Sequence, residues 1–201
     1  EFSKCQAQHL RVTPAKIHVI SLGVDHAHFR PTPMPADHVV LAFGGNKPRK
    51  NIPWLEALWP QVQRRVSGAR LHVVGPGYAR PTDDEVIQLY RLARLVVMPS
   101  HLEGFGLPVL EAMATGRPVL CSDLGALPEL RATSTLVLRA TLWVDWMVEY
   151  LTNDVRWHAA AEANYARAWA YSWERTARET AAAAIGELRS FAKDGRLWDG
   201  E

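Results

Sequence analysis

The sequence predicts an α/β fold in which a parallel β-sheet carries helices on both faces. From residue 38 onward, short apolar runs of strand length alternate with segments of helical spacing. Strand–helix–strand units at this spacing form right-handed crossovers, which make their strands parallel. Ligands bind at the carboxyl ends of such strands, so we expect the chemistry in the loops that follow them.

Each predicted strand is a short apolar run, and each predicted helix has apolar residues three and four positions apart. The strands are expected at residues 38–43, 70–74, 95–98, 118–121 and 136–138. The helices are expected at residues 51–66, 83–94 and 107–115, with helical sequence again from residue 141. Thr82 or Asp83 should cap the second helix, because a short polar side chain satisfies the free amides there. Gly116 should end the third helix.

The N-terminal part of the chain carries less pattern. Residues 17–22 form an apolar run that predicts a short strand, and three prolines in residues 30–36 indicate a linker. We therefore divide the chain into a lead-in or linker over residues 1–36, one large domain over residues 37–192 and a tail over residues 193–201. The chain starts at Glu1 without an initiator Met, so we expect it to be a piece of a longer protein.

Composition restricts the class of protein. With 48% hydrophobic and 22% charged residues, the chain is typical of a globular domain rather than a disordered one. A net charge of +2 without a basic stripe argues against nucleic-acid binding. Cys5 and Cys121 are far apart and form no zinc-type spacing, which favours a reducing compartment. The longest apolar runs have strand length, so we expect no membrane span and a cytoplasmic location.

The loop after the third predicted strand combines an anion site with two carboxylates. Residues 100–111 read SHLEGFGLPVLE, and a helix should begin near the proline. The backbone amides of Phe105, Gly106 and Leu107 then lie at a helix N-terminus, where free N–H groups and the helix dipole attract anions. Glu103 and Glu111 flank these amides, and carboxylates are good acceptors from sugar hydroxyls. The combination suits a sugar diphosphate better than a bare anion.

This segment resembles the Glu-x7-Glu signature of the retaining group 1 glycosyltransferases, which have the GT-B fold. Glu103 and Glu111 have seven residues between them, preceded by LYRLARLVVMPS and followed by EAMATGRPVLCSDLGALPEL. The resemblance covers about residues 16–190 and implies one Rossmann-like half of a two-domain enzyme. It also implies that Glu103 faces the donor sugar and has the catalytic role. Glu111 would bind the ribose, and the amides of residues 105–107 would line the sugar and diphosphate.

The loop after the first predicted strand, FGGNKPRKN, resembles the glycine-rich loop of the same family. Gly44 and Gly45 open it, and Lys50 matches the lysine that holds the donor diphosphate. The arginine that usually follows the first glycine is absent, because Gly45 stands there. The Gly45 amide, Arg49 or Lys47 are the candidates to compensate.

The resemblance implies transfer of a sugar from a nucleoside diphosphate to an acceptor hydroxyl, with retention of configuration. No Asp-x-Asp metal pair occurs, so we expect no metal and no cofactor beyond the nucleotide-sugar donor. The PRKN variant of the loop resembles members that use GDP-mannose, and UDP sugars stay open. The acceptor-binding domain is missing, so this chain by itself should be inactive. A glycan or a lipid-linked acceptor would be bound by that domain, the latter at the inner face of the membrane.

Two other classes of protein stay open on the sequence. The GT-B scaffold also hosts nucleotide-sugar epimerases and phosphorylases, and fold does not choose among them. The third interpretation is a non-catalytic module that binds a nucleotide sugar. An oxidoreductase is disfavoured, because the third glycine of a dinucleotide fingerprint would fall at Arg80.

Overall fold

A computed structural model describes residues 17–130, 134–136 and 139–193. Within these ranges, five strands form one parallel sheet in the order β2-β1-β3-β4-β5. The strands are β1 (Val39–Phe43), β2 (Arg70–Val74), β3 (Leu95–Met98), β4 (Val119–Ser122) and β5 (Ser134–Leu136). The α-helices are α1 (Ile52–Arg65), α2 (Asp83–Leu92), α3 (Leu107–Ala114), α4 (Leu127–Leu130), α5 (Ala140–Thr152), α6 (Asp154–Ala168) and α7 (Trp173–Lys193).

The core lies on both faces of the sheet, as the sequence predicts. Along β1, Leu41 joins one apolar cluster with α2 and α3, whereas Val40 and Ala42 join a second cluster with α1 and α5. Every residue of β3 and β4 is buried, because a central parallel strand covered on both sides has no polar face. The predicted α/β fold class is confirmed.

Element positions agree with the sequence to within one or two residues over most of the domain. Thr82 is the cap of α2: its side chain accepts from the Glu85 amide while the Glu85 carboxylate accepts from the Thr82 amide. Gly116 follows α3 with a φ of +66°. The fifth strand lies at Ser134–Leu136, two residues earlier than predicted, and residues 137 and 138 lie outside the described ranges.

The strand predicted at residues 17–22 is wrong. Those residues have no regular structure, and the first ladder contact is a single parallel bridge between Val24 and Ser172. A strand needs a neighbour for its amides and carbonyls, and this segment instead crosses the start of α7. The backbones approach so closely there that a Cβ on Gly23 would lie 2.2 Å from the Trp173 nitrogen.

The lead-in predicted as a linker packs against the domain in its described part. Arg117 and Arg94 donate to the carbonyls of Pro33 and Pro35, and Phe29 packs edge-on against Tyr90. The division at residue 36 stays a prediction, as does the tail, of which residues 194–201 are not described. Residues 1–16, with Cys5, are also outside the described ranges. In the described chain no helix has the length and apolarity to cross a bilayer.

Candidate functional site

Two loops meet at the carboxyl end of the sheet, where β1 and β3 are neighbours. The loop after β1 runs from Gly44 to Asn51 and includes a 3₁₀ turn at Pro48–Lys50. The loop after β3 runs from Pro99 to Gly106. A backbone hydrogen bond of 2.8 Å from the His101 amide to the Arg49 carbonyl joins them. The site therefore lies at the edge of a parallel sheet where ligands are expected.

Glu103 is a buried carboxylate between two cations. Its side chain is 8% exposed, and Lys50 Nζ lies 2.5 Å from Oε1. The Ser100 hydroxyl donates to the same oxygen at 2.7 Å. Arg49 Nη1 lies 3.5 Å from Oε2 and donates to the Leu102 carbonyl at 3.1 Å. A buried carboxylate is stable only with such partners, so these contacts fix the position of Glu103.

The loop after β4 holds the backbone of Glu103. The Ala126 amide donates to the Glu103 carbonyl at 3.0 Å. Gly125 has a φ of +63°, and a Cβ there would lie 2.7 Å from the Glu103 carbonyl oxygen. The Ser122 hydroxyl also donates to the Ser100 carbonyl at 2.5 Å. Sequence reasoning gave no role to this loop, and the signals it missed are two serines: Ser122, the last residue of β4, and Ser100, two residues after β3.

The helix N-terminus predicted from the sequence is present. Gly106 has a φ of +99° and precedes α3, whose second residue is a proline. Among the described residues, none accepts a hydrogen bond from the amides of Phe105, Gly106 or Leu107. A Cβ on Gly104 would meet no atom within 4 Å, so a ligand can reach the backbone there. These amides fit an anion.

Glu111 lies on α3 and contacts α2 rather than Glu103. The Tyr90 hydroxyl donates to Glu111 Oε2 at 2.7 Å. Burial raises the pKa of Glu111, the Tyr90 hydrogen bond lowers it, and the nearby Asp83 carboxylate raises it. Burial, and then Glu111 itself, raise the pKa of Tyr90 far above its usual value. Glu111 faces a cavity of about 430 Å³. Sequence reasoning did not identify Tyr90, because nothing in the local pattern of α2 separates it from other core aromatics.

The structure gives a steric reason for the arginine that is missing from the glycine-rich loop. Gly45 has a φ of +58°, and a Cβ there would lie 2.2 Å from the Pro76 carbonyl oxygen. The Asn46 amide also donates to that oxygen at 2.7 Å. The turn after β2 thus occupies the space in which an arginine side chain would begin. Gly44 has a different reason to lack a side chain, since a Cβ there would lie 2.4 Å from Lys50 Cβ.

Of the sequence-predicted residues, the structure brings Arg49, Lys50 and Glu103 into direct contact beside the amides of residues 105–107. Lys47 is exposed and makes no ion pair within the described ranges. In the same ranges, no group of three or more His, Cys, Asp or Glu side chains could hold a metal ion. The roles of the predicted site residues stay predictions.

The buried Glu103 carboxylate, its two cations and the amides of residues 105–107 define an α/β domain with a candidate anion site at the carboxyl edge of its sheet. Comparison with known proteins narrows this class. Residues 76–134, which include Glu103 and Glu111, match the family described as glycosyl transferases group 1.

Relatives agree with that match. The D-inositol 3-phosphate glycosyltransferase of Segniliparus rotundus is 31% identical over 225 residues, which cover 92% of this chain and 50% of that protein. The O-antigen chain mannosyltransferase B of Escherichia coli is 35% identical over 129 residues, which cover 62% of this chain and 32% of that protein. The chain belongs to the group 1 glycosyltransferase family, and it spans about half the length of the first of these relatives.

A solved structure confirms the fold. The Anabaena protein Alr3699/HepE, in complex with UDP and glucose, superposes with a TM-score of 0.77 at 16% identity. The match covers 92% of this chain and 61% of that one.

Proposed function

We propose that this chain is the donor-binding half of a retaining, metal-independent glycosyltransferase. The whole enzyme transfers a sugar from a nucleoside diphosphate to an acceptor hydroxyl. The observation that carries the proposal is the buried Glu103 carboxylate, held by Lys50 and Ser100 next to the free amides of residues 105–107.

The diphosphate binds at the positive end of this site. Lys50 and the amides at the start of α3 donate to its oxygens, and Arg49 extends the positive charge. As the bond from the anomeric carbon to the diphosphate breaks, the nucleoside diphosphate leaves with the electron pair. Donors that are already in place stabilise the charge that develops on it. This arrangement performs the task that a metal ion performs in other transferases.

The carboxylates hold the two ends of the donor. Glu103 accepts hydrogen bonds from sugar hydroxyls and lies beside the carbon that becomes oxocarbenium-like. The acceptor oxygen bonds to that carbon on the face the diphosphate leaves, and its proton passes to the leaving diphosphate. Glu111, which keeps one oxygen on Tyr90, accepts from the ribose hydroxyls with the other. Glu103 is thus the catalytic residue of the proposal, and Glu111 a binding residue.

GDP sugars and UDP sugars are both candidates for the donor. The Escherichia coli relative is named a mannosyltransferase, which supports mannose as the transferred sugar, whereas the Anabaena structure contains UDP and glucose. The acceptor site belongs to the other half of the enzyme, and the length of the relatives supports such a half. We expect a glycan or lipid-linked acceptor and a cytoplasmic enzyme.

Calorimetric titration of the chain with GDP, UDP, ADP and CMP, with and without EDTA, tests the proposal. We expect one diphosphate to bind, with the same affinity in EDTA. Lys50→Ala should abolish that binding, and the exposed Lys47→Ala, three positions earlier in the same loop, is the matched control. Binding that depends on a metal, or that Lys50→Ala leaves intact, contradicts the proposal.

A further inference from the structure

A segment outside the family signature closes one side of the Glu111 cavity. We define residues 25–33 as the strap. Asp25, His28 and Phe29 of the strap line the cavity of about 430 Å³ opposite residues of α2 and Glu111 of α3. The Phe29 ring also meets the Tyr90 ring edge-on at 5.7 Å between centroids, and Tyr90 donates to Glu111. Through the strap, the N-terminal lead-in therefore contacts the proposed donor site.

The start of the strap is a fixed turn. Asp25 Oδ1 accepts from the amides of Ala27 and His28 at 2.8 and 3.2 Å, and the Phe29 amide donates to the Asp25 carbonyl at 2.9 Å. An Asp side chain that caps its own turn in this way removes most of the freedom of the segment.

The end of the strap is held by a buried arginine. Arg117 is wholly buried, and its guanidinium donates to the Thr32 hydroxyl and, at 3.2 Å, to the Pro33 carbonyl. Its guanidinium lies over the Trp157 ring, 5.6 Å from the ring centroid, and no carboxylate of the described chain forms an ion pair with it. Burial lowers its pKa to about 10.

A buried cation without a carboxylate is costly, and an apolar side chain would fill the same space more cheaply. The planar guanidinium of Arg117, however, donates to two acceptors on the strap at once, which an apolar side chain cannot do. Pro31 lies beside Gly116, which follows α3, since a Cβ on Gly116 would lie 3.4 Å from Pro31 Cβ. The buried guanidinium of Arg117 therefore costs stability, and in return it fixes the position of the strap.

From these contacts we infer that Arg117 is a positioning residue, which holds the strap over α3 so that Asp25, His28 and Phe29 close the cavity around the nucleoside of the donor. The inference rests on the proposed function for the identity of the ligand. Its structural part, that the strap shields Glu111, needs no ligand.

The test uses Thr32, since loss of the guanidinium itself can prevent folding. Thr32→Val removes the acceptor hydroxyl at nearly constant volume, Thr32→Ser keeps it, and Thr152→Val removes an exposed hydroxyl bonded within α5. The first measurement is the pKa of Glu111 by carbon NMR of its carboxyl group, without nucleotide. Asp83 raises and Tyr90 lowers the pKa of this carboxyl group. Asp25, His28 and Asp84 line the same cavity, so the titrations of all five neighbours are followed as well.

We expect Thr32→Val to admit water and to lower the pKa of Glu111 towards its ordinary range, while Thr32→Ser and Thr152→Val leave it unchanged. Equal values in all four proteins would overturn the inference. The second measurement is the affinity for the nucleotide that binds. Thr32→Val should weaken it about fivefold, the effect of losing one hydrogen bond, and Thr32→Ser should restore it. Wild-type affinity in Thr32→Val overturns the positioning role. If no nucleotide binds the wild type, the proposed function fails, whereas the NMR measurement still decides whether the strap shields Glu111.

Discussion

The pair of Lys50 and Glu103 is the contact on which the site depends, and a double-mutant cycle measures it. Lys50→Met removes the positive charge and keeps most of the apolar part of the side chain. Glu103→Gln removes the negative charge at nearly constant shape. Both side chains are nearly buried, 12% and 8% exposed, and their charged atoms lie 2.5 Å apart. Removing one partner of a buried pair costs about 3 to 5 kcal/mol. Glu103 keeps Ser100 and Arg49, so we expect the lower end, about 3 kcal/mol, for Lys50→Met.

The two single variants and the double variant are unfolded in urea and followed by tryptophan fluorescence. The double variant should be less destabilised than the sum of the singles, with a coupling energy of about 2 kcal/mol. Arg49→Met is the control, because its side chain is 46% exposed and 3.5 Å from Glu103, and it should cost less than about 1 kcal/mol. Additive effects, with a coupling below about 0.5 kcal/mol, would refute the argument that the pair organises the site.

Four further predictions follow from single positions. Gly45→Ala should cost about 3 kcal/mol from left-handed strain plus collision, measured by thermal unfolding, whereas Gly68→Ala, also left-handed but in open space, should cost only about 1 kcal/mol. Burial raises the pKa of Glu111, so the stability linked to its proton is present at acid pH and is lost as the pH rises through the pKa of the folded state. Urea unfolding should therefore show Glu111→Gln to be more stable than the wild type at pH 8 and equally stable in acid. Tyr90→Phe removes the hydrogen bond that lowers the pKa of Glu111, so NMR titration should show a further rise, and a fall would contradict the assignment. Arg49→Met should weaken binding of a nucleoside diphosphate about tenfold, as expected for a lost charged hydrogen bond, and leave binding of the nucleoside unchanged.

The sheet and its loops could be predicted because the physical signals are local. A central parallel strand is apolar on both faces, so β3 and β4 are plain in the sequence as continuous apolar runs. The cap at Thr82 follows from the same local chemistry. The turn through Gly106 and the proline after it places the free amides at a helix N-terminus before any tertiary contact is known.

The parts that could not be predicted depend on partners distant in sequence. Residues 17–22 have the pattern of a strand, but within the described ranges no strand lies beside them, and a strand without a neighbour does not form. Tyr90 becomes a site residue only because α2 and α3 pack side by side. Arg117 looks like an ordinary charge after a helix, and its role appears only when the strap, some 85 residues away in sequence, is placed over it.

Gly45 shows how one distant contact changes the chemistry of the site. The resemblance to the family raises the question of which group replaces the missing arginine, and the sequence leaves three candidates. The turn after β2 fills the space beside Gly45, so this position cannot regain a side chain without moving Pro76. Lys47 is exposed and unpaired within the described chain, whereas Arg49 reaches the Leu102 carbonyl and the edge of Glu103. A guanidinium already aimed at this carboxylate is placed to donate to a phosphate beside it. We therefore propose Arg49 as the second cation of the proposed diphosphate site, supplied from within the 3₁₀ turn rather than from the first glycines of the loop.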